Sequence, residues 1–364
     1  MNRSTLISEL DMLREHAAAF KTACRTAPSD RPFPGASSAV APSIDGVESV
    51  TPATIVLATD LSCRCDRALD RAIALASEWR ARLVMVHALR ERGDAAPGGD
   101  MASWRRPRDS RQAARDLVRR DIPNAGDIGV ELIVEWGDPT RVILDAARRV
   151  DCGLLLTGVP RDETLARSLI GSTLDKVIRK ADVPVLVVKE RRRGPYHNVI
   201  IAADFSEAAR HSLTTALRLL PKAQATIFHA CDVPFGLLAR PGMQTLESLE
   251  REARLEASEF LRGTPAAAGR PIPIMCGHGE IGTLLQDAVE TVGADLVVVG
   301  TRGRSALSSL LLESVAKNLL SSVTADVLIV RHRGSDAALS PHDDRDSRPL
   351  ARLARGATDS PSQS

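Results

Sequence analysis

The stretch ATIVLATDLS, residues 53–62, returns as NVIIAADFS at 198–206. Each is a short apolar run closed by an aspartate, Asp60 in the first and Asp204 in the second. The echo continues along the chain. LVMVHA (83–88) matches TIFHA (226–230), GLLLTG (153–158) matches LVVVG (296–300), and PVLVVK (184–189) matches DVLIVR (326–331). His87 and His229, Gly137 and Gly279, and Gly158 and Gly300 all stand 142 residues apart. A constant offset across several elements identifies two copies of one domain. The copies are placed at 53–190 and 196–332, joined by the basic stretch KERRRGP (189–195).

Each copy alternates apolar runs with segments of helical period. In 63–79, Ala68, Ala72, Leu75 and Ala76 recur at helical spacing. The first copy predicts strands 54–59, 82–88, 130–135, 153–157 and 184–189 and helices 63–79, near 109–120, 139–149 and 165–180. The second predicts strands 198–203, 225–231, 272–276, 295–299 and 326–331 and helices 206–219, 244–263, 280–291 and 308–322. Strands alternating with helices imply right-handed crossovers and a parallel sheet covered on both faces. Continuous runs such as LVVV and VLVV suit strands buried on both sides. The fold class is therefore α/β, two tandem doubly wound parallel sheets of the Rossmann-like type. The last strands, 184–189 and 326–331, read as edges that need covering, and each half is expected to cover the other.

The flanks differ from this core. Residues 1–52 offer a short amphipathic helix over 4–22, with Leu6, Leu10, Leu13, Ala17 and Phe20 on one face, and a Pro/Ser/Ala-rich linker over 25–50. The tail 333–364 mixes charge with Ser and Pro and reads as disordered. Apolar residues make up 44% of the chain and aromatics only 3%, so Val, Leu, Ile and Ala must build the core. A net charge of +2 supplies no general attraction to nucleic acid or membrane. No apolar stretch is long enough to span a bilayer, and Glu9, Asp11 and Glu15 interrupt any signal-peptide core. The six cysteines include no CxxC pair, and a cytoplasmic location is expected.

In open α/β sheets ligands bind beyond the carboxyl ends of the strands, at the switch point. Asp60 and Asp204 close the first strand of each copy, and Gly158 and Gly300 close the fourth. Beyond the glycines come VPRDETLARSLIGST (159–173) and TRGRSALSSLLLESV (301–315), each leading into a helix. Glycine admits backbone N–H groups to phosphate oxygens, and a helix N-terminus favours anions. A carboxylate at the first strand end is placed to take hydrogen bonds from a base or ribose.

The order of first-strand Asp, fourth-strand Gly, phosphate loop, Gly-Ser and closing PVLVV resembles the universal stress protein family. The resemblance covers about residues 53–332. It implies strand order 3-2-1-4-5, kinship with adenine nucleotide α-hydrolase-like folds, association through the final strand and an intramolecular pseudo-dimer of the halves. A homodimer is compatible with it. The ATP-binding members carry Gly, two residues, Gly, nine residues, then Gly followed by Ser or Thr. On that pattern the nucleotide-binding residues are Asp60, Gly158, Arg161, Gly171 and Ser172 in the first copy, and Asp204, Gly300, Gly303 and Ser314 in the second. Arg161 replaces the second glycine and brings a cation for phosphate. Glu313 replaces the last glycine of the second copy and brings a competing anion. The first copy is accordingly expected to be the better ATP site.

No Ser-His-Asp order, metal cluster or GxxxxGK loop is present, so no dedicated enzyme is expected. Three readings stand open: an ATP-linked stress regulator, a nucleotide-free scaffold acting through protein partners, and an adenylate-forming enzyme. DLSCRCD (60–66) has no glycine for the pyrophosphate loop of the third. His87 and His229 read as structural. Cys63 and Cys65 open the first helix, where redox sensing is conceivable, with Glu207 and Ala209 taken as their counterparts.

Overall fold

A computed structural model of the chain describes residues 51–89, 110–121, 129–159, 172–231, 243–301 and 319–332. The first half runs β1 (Thr54–Ala58), α1 (Asp66–Trp79), β2 (Arg82–Leu89), α2 (Ser110–Asp121), β3 (Val130–Trp136), α3 (Pro139–Arg149), β4 (Leu154–Gly158), α4 (Ser172–Lys180) and β5 (Val185–Val188). The second runs β6 (Asn198–Ala202), α5 (Glu207–Leu219), β7 (Gln224–Cys231), α6 (Met243–Arg262), β8 (Ile274–His278), α7 (Ile281–Val292), β9 (Leu296–Gly300) and β10 (Asp326–Val330). The apolar runs are strands because they are buried on both faces: every residue of TIVLA, VLVV, LVVVG and DVLIV is buried. β8 begins two residues later than its apolar pattern suggests, because Pro271 and Pro273 withhold the N–H groups a ladder needs.

All ten strands form one sheet, in the order β3-β2-β1-β4-β5-β10-β9-β6-β7-β8. Each half keeps the order 3-2-1-4-5 with parallel pairing. The halves join where β5 and β10 pair antiparallel. Leu186 faces Leu328, its own repeat counterpart, so a pseudo-two-fold axis passes through that pair. Two cores flank the sheet. One lies under α1, α2, α5 and α6 and includes Leu57, Ala72, Leu213 and Phe260. The other lies under α3, α4 and α7 and includes Val56, Ala146, Val177 and Leu285. Each runs through both halves.

The helices start and stop where local chemistry directs. Gly137 and Gly279, with φ of +147° and +137°, turn the chain into α3 and α7 in equivalent places. The Asp138 carboxylate then accepts the Arg141 N–H at 3.1 Å, with Pro139 at the first helical position. Glu280 caps α7 in the same way, accepting from Gly282 N at 3.0 Å and Thr283 N at 2.7 Å. Gly293, at φ +63°, closes α7 in the left-handed conformation.

The junction carries two polar devices, one repeated in both halves and one present once. The Lys189 ammonium, past the end of β5, donates to the Leu320 carbonyl at 2.9 Å and to that of Val323, both in the second half. Arg331, its repeat counterpart, reaches the Ala181 carbonyl of the first half at 3.5 Å. Each cation thus sits at the C-terminal end of a helix of the opposite half, the one ending at residue 322 for Lys189 and α4 for Arg331, where the negative end of the macrodipole favours it. Asp326, fully buried, accepts from Lys189 N at 2.7 Å, Glu190 N at 2.9 Å and the Tyr196 hydroxyl at 2.6 Å. Arg71, on α1, lies 3.6 Å from that carboxylate, 4.0 Å over the Tyr196 ring, and donates to the Gly194 carbonyl at 2.8 Å. Burial pushes the Asp326 pKa up, while Tyr196, the two N–H groups and Arg71 pull it back. The joining segment is therefore tied down between α1 and β10.

Candidate functional site

Asp60 and Asp204 stand just beyond the carboxyl ends of β1 and β6, the central strands of their halves. The same local geometry recurs around them. The residue after each aspartate, Leu61 or Phe205, adopts a left-handed backbone with φ of 57° or 60°. For a residue with a Cβ this costs roughly 1–2 kcal/mol. Each aspartate offsets part of that cost by accepting a backbone N–H two residues on: Ser62 N to Asp60 at 2.9 Å, Ser206 N to Asp204 at 3.1 Å. The second-strand histidines brace the same turn. His87 Nδ1 lies 3.0 Å from the Thr59 carbonyl and His229 Nδ1 lies 2.8 Å from that of Ala203. Both histidines hold the peptide just before the aspartate, a structural task.

Past the turn the halves diverge. The buried face of α1 is Ala68, Arg71, Ala72, Leu75 and Ala76; that of α5 includes Ala209, Ser212, Leu213, Ala216 and Leu217 at matching spacing. Asp60 precedes Ala68 by eight residues, but Asp204 precedes Ala209 by only five. The three extra residues form a single 3-10 turn, Cys63–Cys65. Glu207 and Ala209 are thus not counterparts of the two cysteines, which sit in an insertion of the first half.

That insertion changes what the serine does. Ser206 caps α5, its Oγ accepting from Ala209 N at 3.2 Å and donating to Asp204 at 2.5 Å. Ser62 lies one extra turn from α1, whose N-cap has no side-chain hydrogen bond. Its Oγ is buried without a hydrogen-bond partner. Beside it opens a cavity of about 540 Å³, whose lining includes Thr59, Leu61, Ser62, Asp66, Arg120 and Arg191. The matching space between α5 and α6 is filled. Phe205 stacks on His229 with centroids 4.5 Å apart and lies 5.6 Å from Phe260. Arg210 lies over Phe260 at 4.8 Å and donates to Thr264 Oγ1 at 2.7 Å.

The described crevice of the second half, at the ends of β6, β7 and β9, encloses about 110 Å³ and is lined by Asp204, His229, Ala230, Ile281, Gly300 and Leu319 among others. Gly300 has a packing reason to be glycine: a Cβ there would stand 2.8 Å from Ser212 Oγ and 3.2 Å from the Ala208 carbonyl. Gly158 closes β4, buried beside Val188 of β5. Ser172 opens α4 and is exposed. Arg161, Gly171, Gly303, Glu313 and Ser314 lie outside the described residues, as do 4–22, 25–50 and 333–364.

The Cys65 thiol lies 3.2 Å from Asp60 Oδ1, and burial pushes its pKa up to about 11. That is the wrong direction for a reactive thiolate. Among the described residues no group of three or more His, Cys, Asp or Glu side chains converges as a metal site, and no helix is long and apolar enough to cross a membrane.

The duplicated aspartate turn, on two 3-2-1-4-5 halves of one sheet, has a family to go with it. The model of the universal stress protein family matches residues 53–189 and again 195–331. The chain belongs to that family. A universal stress protein of Mycolicibacterium smegmatis is 23% identical over 308 residues, covering 79% of this chain and 100% of that one. One from Synechocystis is 29% identical over 153 residues, covering 38% of this chain and 99% of that one. Among solved structures, a universal stress protein from Archaeoglobus fulgidus matches with TM-score 0.57 at 18% identity, covering 80% of this chain and 100% of that one. A putative universal stress protein from Pseudomonas aeruginosa matches with TM-score 0.55 at 19% identity, covering 77% and 93%. This tandem universal stress protein thus has the fold its repeat implies, α/β and Rossmann-like, with two family domains in one sheet. What sequence reasoning missed was the three-residue insertion after Ser62. Laying the helical pattern of 68–76 on that of 209–217 and counting back to each aspartate would have found it.

Proposed function

We propose that this universal stress protein is a nucleotide-linked regulator that binds an adenine nucleotide, ATP first among them, in its first half. The observation that carries the reading is the contrast between the two serines. The Ser62 hydroxyl is buried, unpaired and beside about 540 Å³ of open space, whereas Ser206 is spent on Asp204 and Ala209 and the matching space is filled by Phe205, His229 and Phe260. Small-molecule sites occupy roughly 300–1,000 Å³. An unpaired buried hydroxyl costs about 1–3 kcal/mol, which a ligand hydrogen bond recovers. The sequence contrast between Gly171 and Glu313 points the same way. The role is one of binding: nucleotide occupancy biases a surface read by a protein partner. A homodimer is compatible with that role.

Calorimetric titration of the full chain with ATP tests this. One nucleotide per chain is expected, lost in Asp60→Ala and in Gly171→Glu and retained in Asp204→Ala. No binding by the intact protein, or loss only in Asp204→Ala, overturns the reading. The first of those outcomes would favour a nucleotide-free scaffold, for which Gly300 is already explained by packing alone.

A further inference from the structure

The second half contains a pair of thiols that the nucleotide reading does not use. Cys231 is the last residue of β7 and Cys276 the third of β8. The ladder sets His229 opposite Cys276 and Cys231 opposite His278. Side chains two apart share a face, so these four form a patch on the side covered by α6. Cys231 is buried, and Cys276 is half-buried on the outermost strand of the sheet. The two thiols lie diagonally across the ladder, and Cys231 is the group that most lowers the Cys276 pKa.

We propose that Cys276 and Cys231 are a peroxide-responsive thiol pair, in which Cys276 is oxidised and Cys231 resolves it as an intramolecular disulfide tying β8 to β7. The Cys276 thiolate attacks one oxygen of hydrogen peroxide, the O–O bond breaks, and hydroxide leaves and takes up a proton to become water. The product is a sulfenic acid on Cys276. Cys231 sulfur then attacks the Cys276 sulfur; the sulfenic hydroxyl departs with the Cys231 proton as a second water. Two electrons pass from the two sulfurs to the peroxide.

The surroundings of Cys276 favour its role. The Cys231 thiol lowers its pKa, burial works against that, and the Arg254 guanidinium on α6 lowers it further against an opposing effect of Glu250. Burial instead pushes Cys65 and Cys152 up to about 11. The thiolate is the nucleophile, so Cys276 reacts ahead of both. Disulfide closure needs Cβ atoms within roughly 4 Å, and a diagonal pair reaches this only if one strand slides. β8 pairs with β7 alone, contains Gly277 and is followed by Gly279, so a shift against β7 breaks no second ladder. Because His229 braces the Asp204 turn, cross-linking its neighbouring strand reaches the second half's crevice.

The test treats the reduced full-length protein with hydrogen peroxide, blocks remaining thiols, and digests it without reductant for mass spectrometry. A peptide pair joined through Cys231 and Cys276 is expected, lighter by two hydrogens and split by reductant. Cys276→Ser and Cys231→Ser each lose it, and in Cys231→Ser a dimedone adduct appears on Cys276. The wild-type protein supplies a check that needs no variant: Cys276 should be alkylated faster than Cys65 and Cys152 before oxidation. Cys276 that stays alkylatable while Cys63 is consumed, or that proceeds to sulfinic acid without the linked peptide, overturns the proposal.

Discussion

Tyr196 is the only tyrosine in the chain, so its titration can be watched directly. Burial first, and the Asp326 carboxylate second, push its pKa well above the ordinary 10.0. The folded protein therefore holds this proton more tightly than the unfolded chain. The resulting stability is complete below pH 10.0 and is lost as pH rises through the folded-state value. Tyrosinate absorbance should appear only above the ordinary value and together with unfolding; absorbance that rises at pH 10 in a folded protein would contradict the buried Asp326 contact. Gly300 offers a second residue-level test. Gly300→Ala drives a methyl against Ser212 Oγ and the fixed Ala208 carbonyl, and should cost about 1–3 kcal/mol in denaturant unfolding. The Gly300→Ala, Ser212→Ala pair should recover part of that, since only the Ser212 oxygen can be removed.

At the level of elements, the same strand-turn-helix unit serves two ends. In the second half Ser206 caps α5 and the turn is closed; in the first, one added 3-10 turn releases Ser62 and opens a cavity. The caps that cross the junction show how an element of one half depends on the other. Lys189 satisfies carbonyls at 320 and 323 that an isolated second half would leave to water. Lys189→Met keeps the stem and removes the charge. It should destabilise the protein by about 1–2 kcal/mol, with faster amide exchange over residues 319–323. Unchanged exchange there would show that the ammonium adds nothing to the helix end.

Across the whole molecule, one sheet and two continuous cores predict that the halves unfold together. All three tryptophans, Trp79, Trp104 and Trp136, belong to the first half, while helix is shared by both. Tryptophan fluorescence and far-ultraviolet circular dichroism should therefore trace the same denaturation curve; separated midpoints would show that the halves unfold independently. Asp326→Ala attacks the junction itself. It leaves the Arg71 guanidinium, 4% exposed, without its carboxylate, and removes the acceptor for two backbone N–H groups and Tyr196. Stranding a buried charge in this way costs roughly 3–5 kcal/mol. Replacing Arg71 by Met in the same protein should return part of that loss, because no charge is then left uncompensated.

The duplication, the strand and helix order and the two aspartates at strand ends were all legible in the residues, because each is a local pattern: period 2 or 3.6, or a polar residue ending an apolar run. So was the fold class, since alternating buried strands and amphipathic helices have few ways to close. The covering of the last strands by each other was legible too, since both read as exposed edges; the antiparallel register of Leu186 on Leu328, the crossing of Lys189 and Arg331 to each other's helices, and the burial of Asp326 against Arg71 came only with the tertiary structure. Those contacts join residues more than a hundred positions apart, and the repeat offset that marks Leu186 and Leu328 as counterparts does not say that they touch. The same holds for the thiols. Cys63 and Cys65 look like a pair in the sequence, yet burial pushes the Cys65 thiol up, away from thiolate. Cys231 and Cys276 share nothing in sequence and meet only because β7 and β8 are neighbours in the sheet.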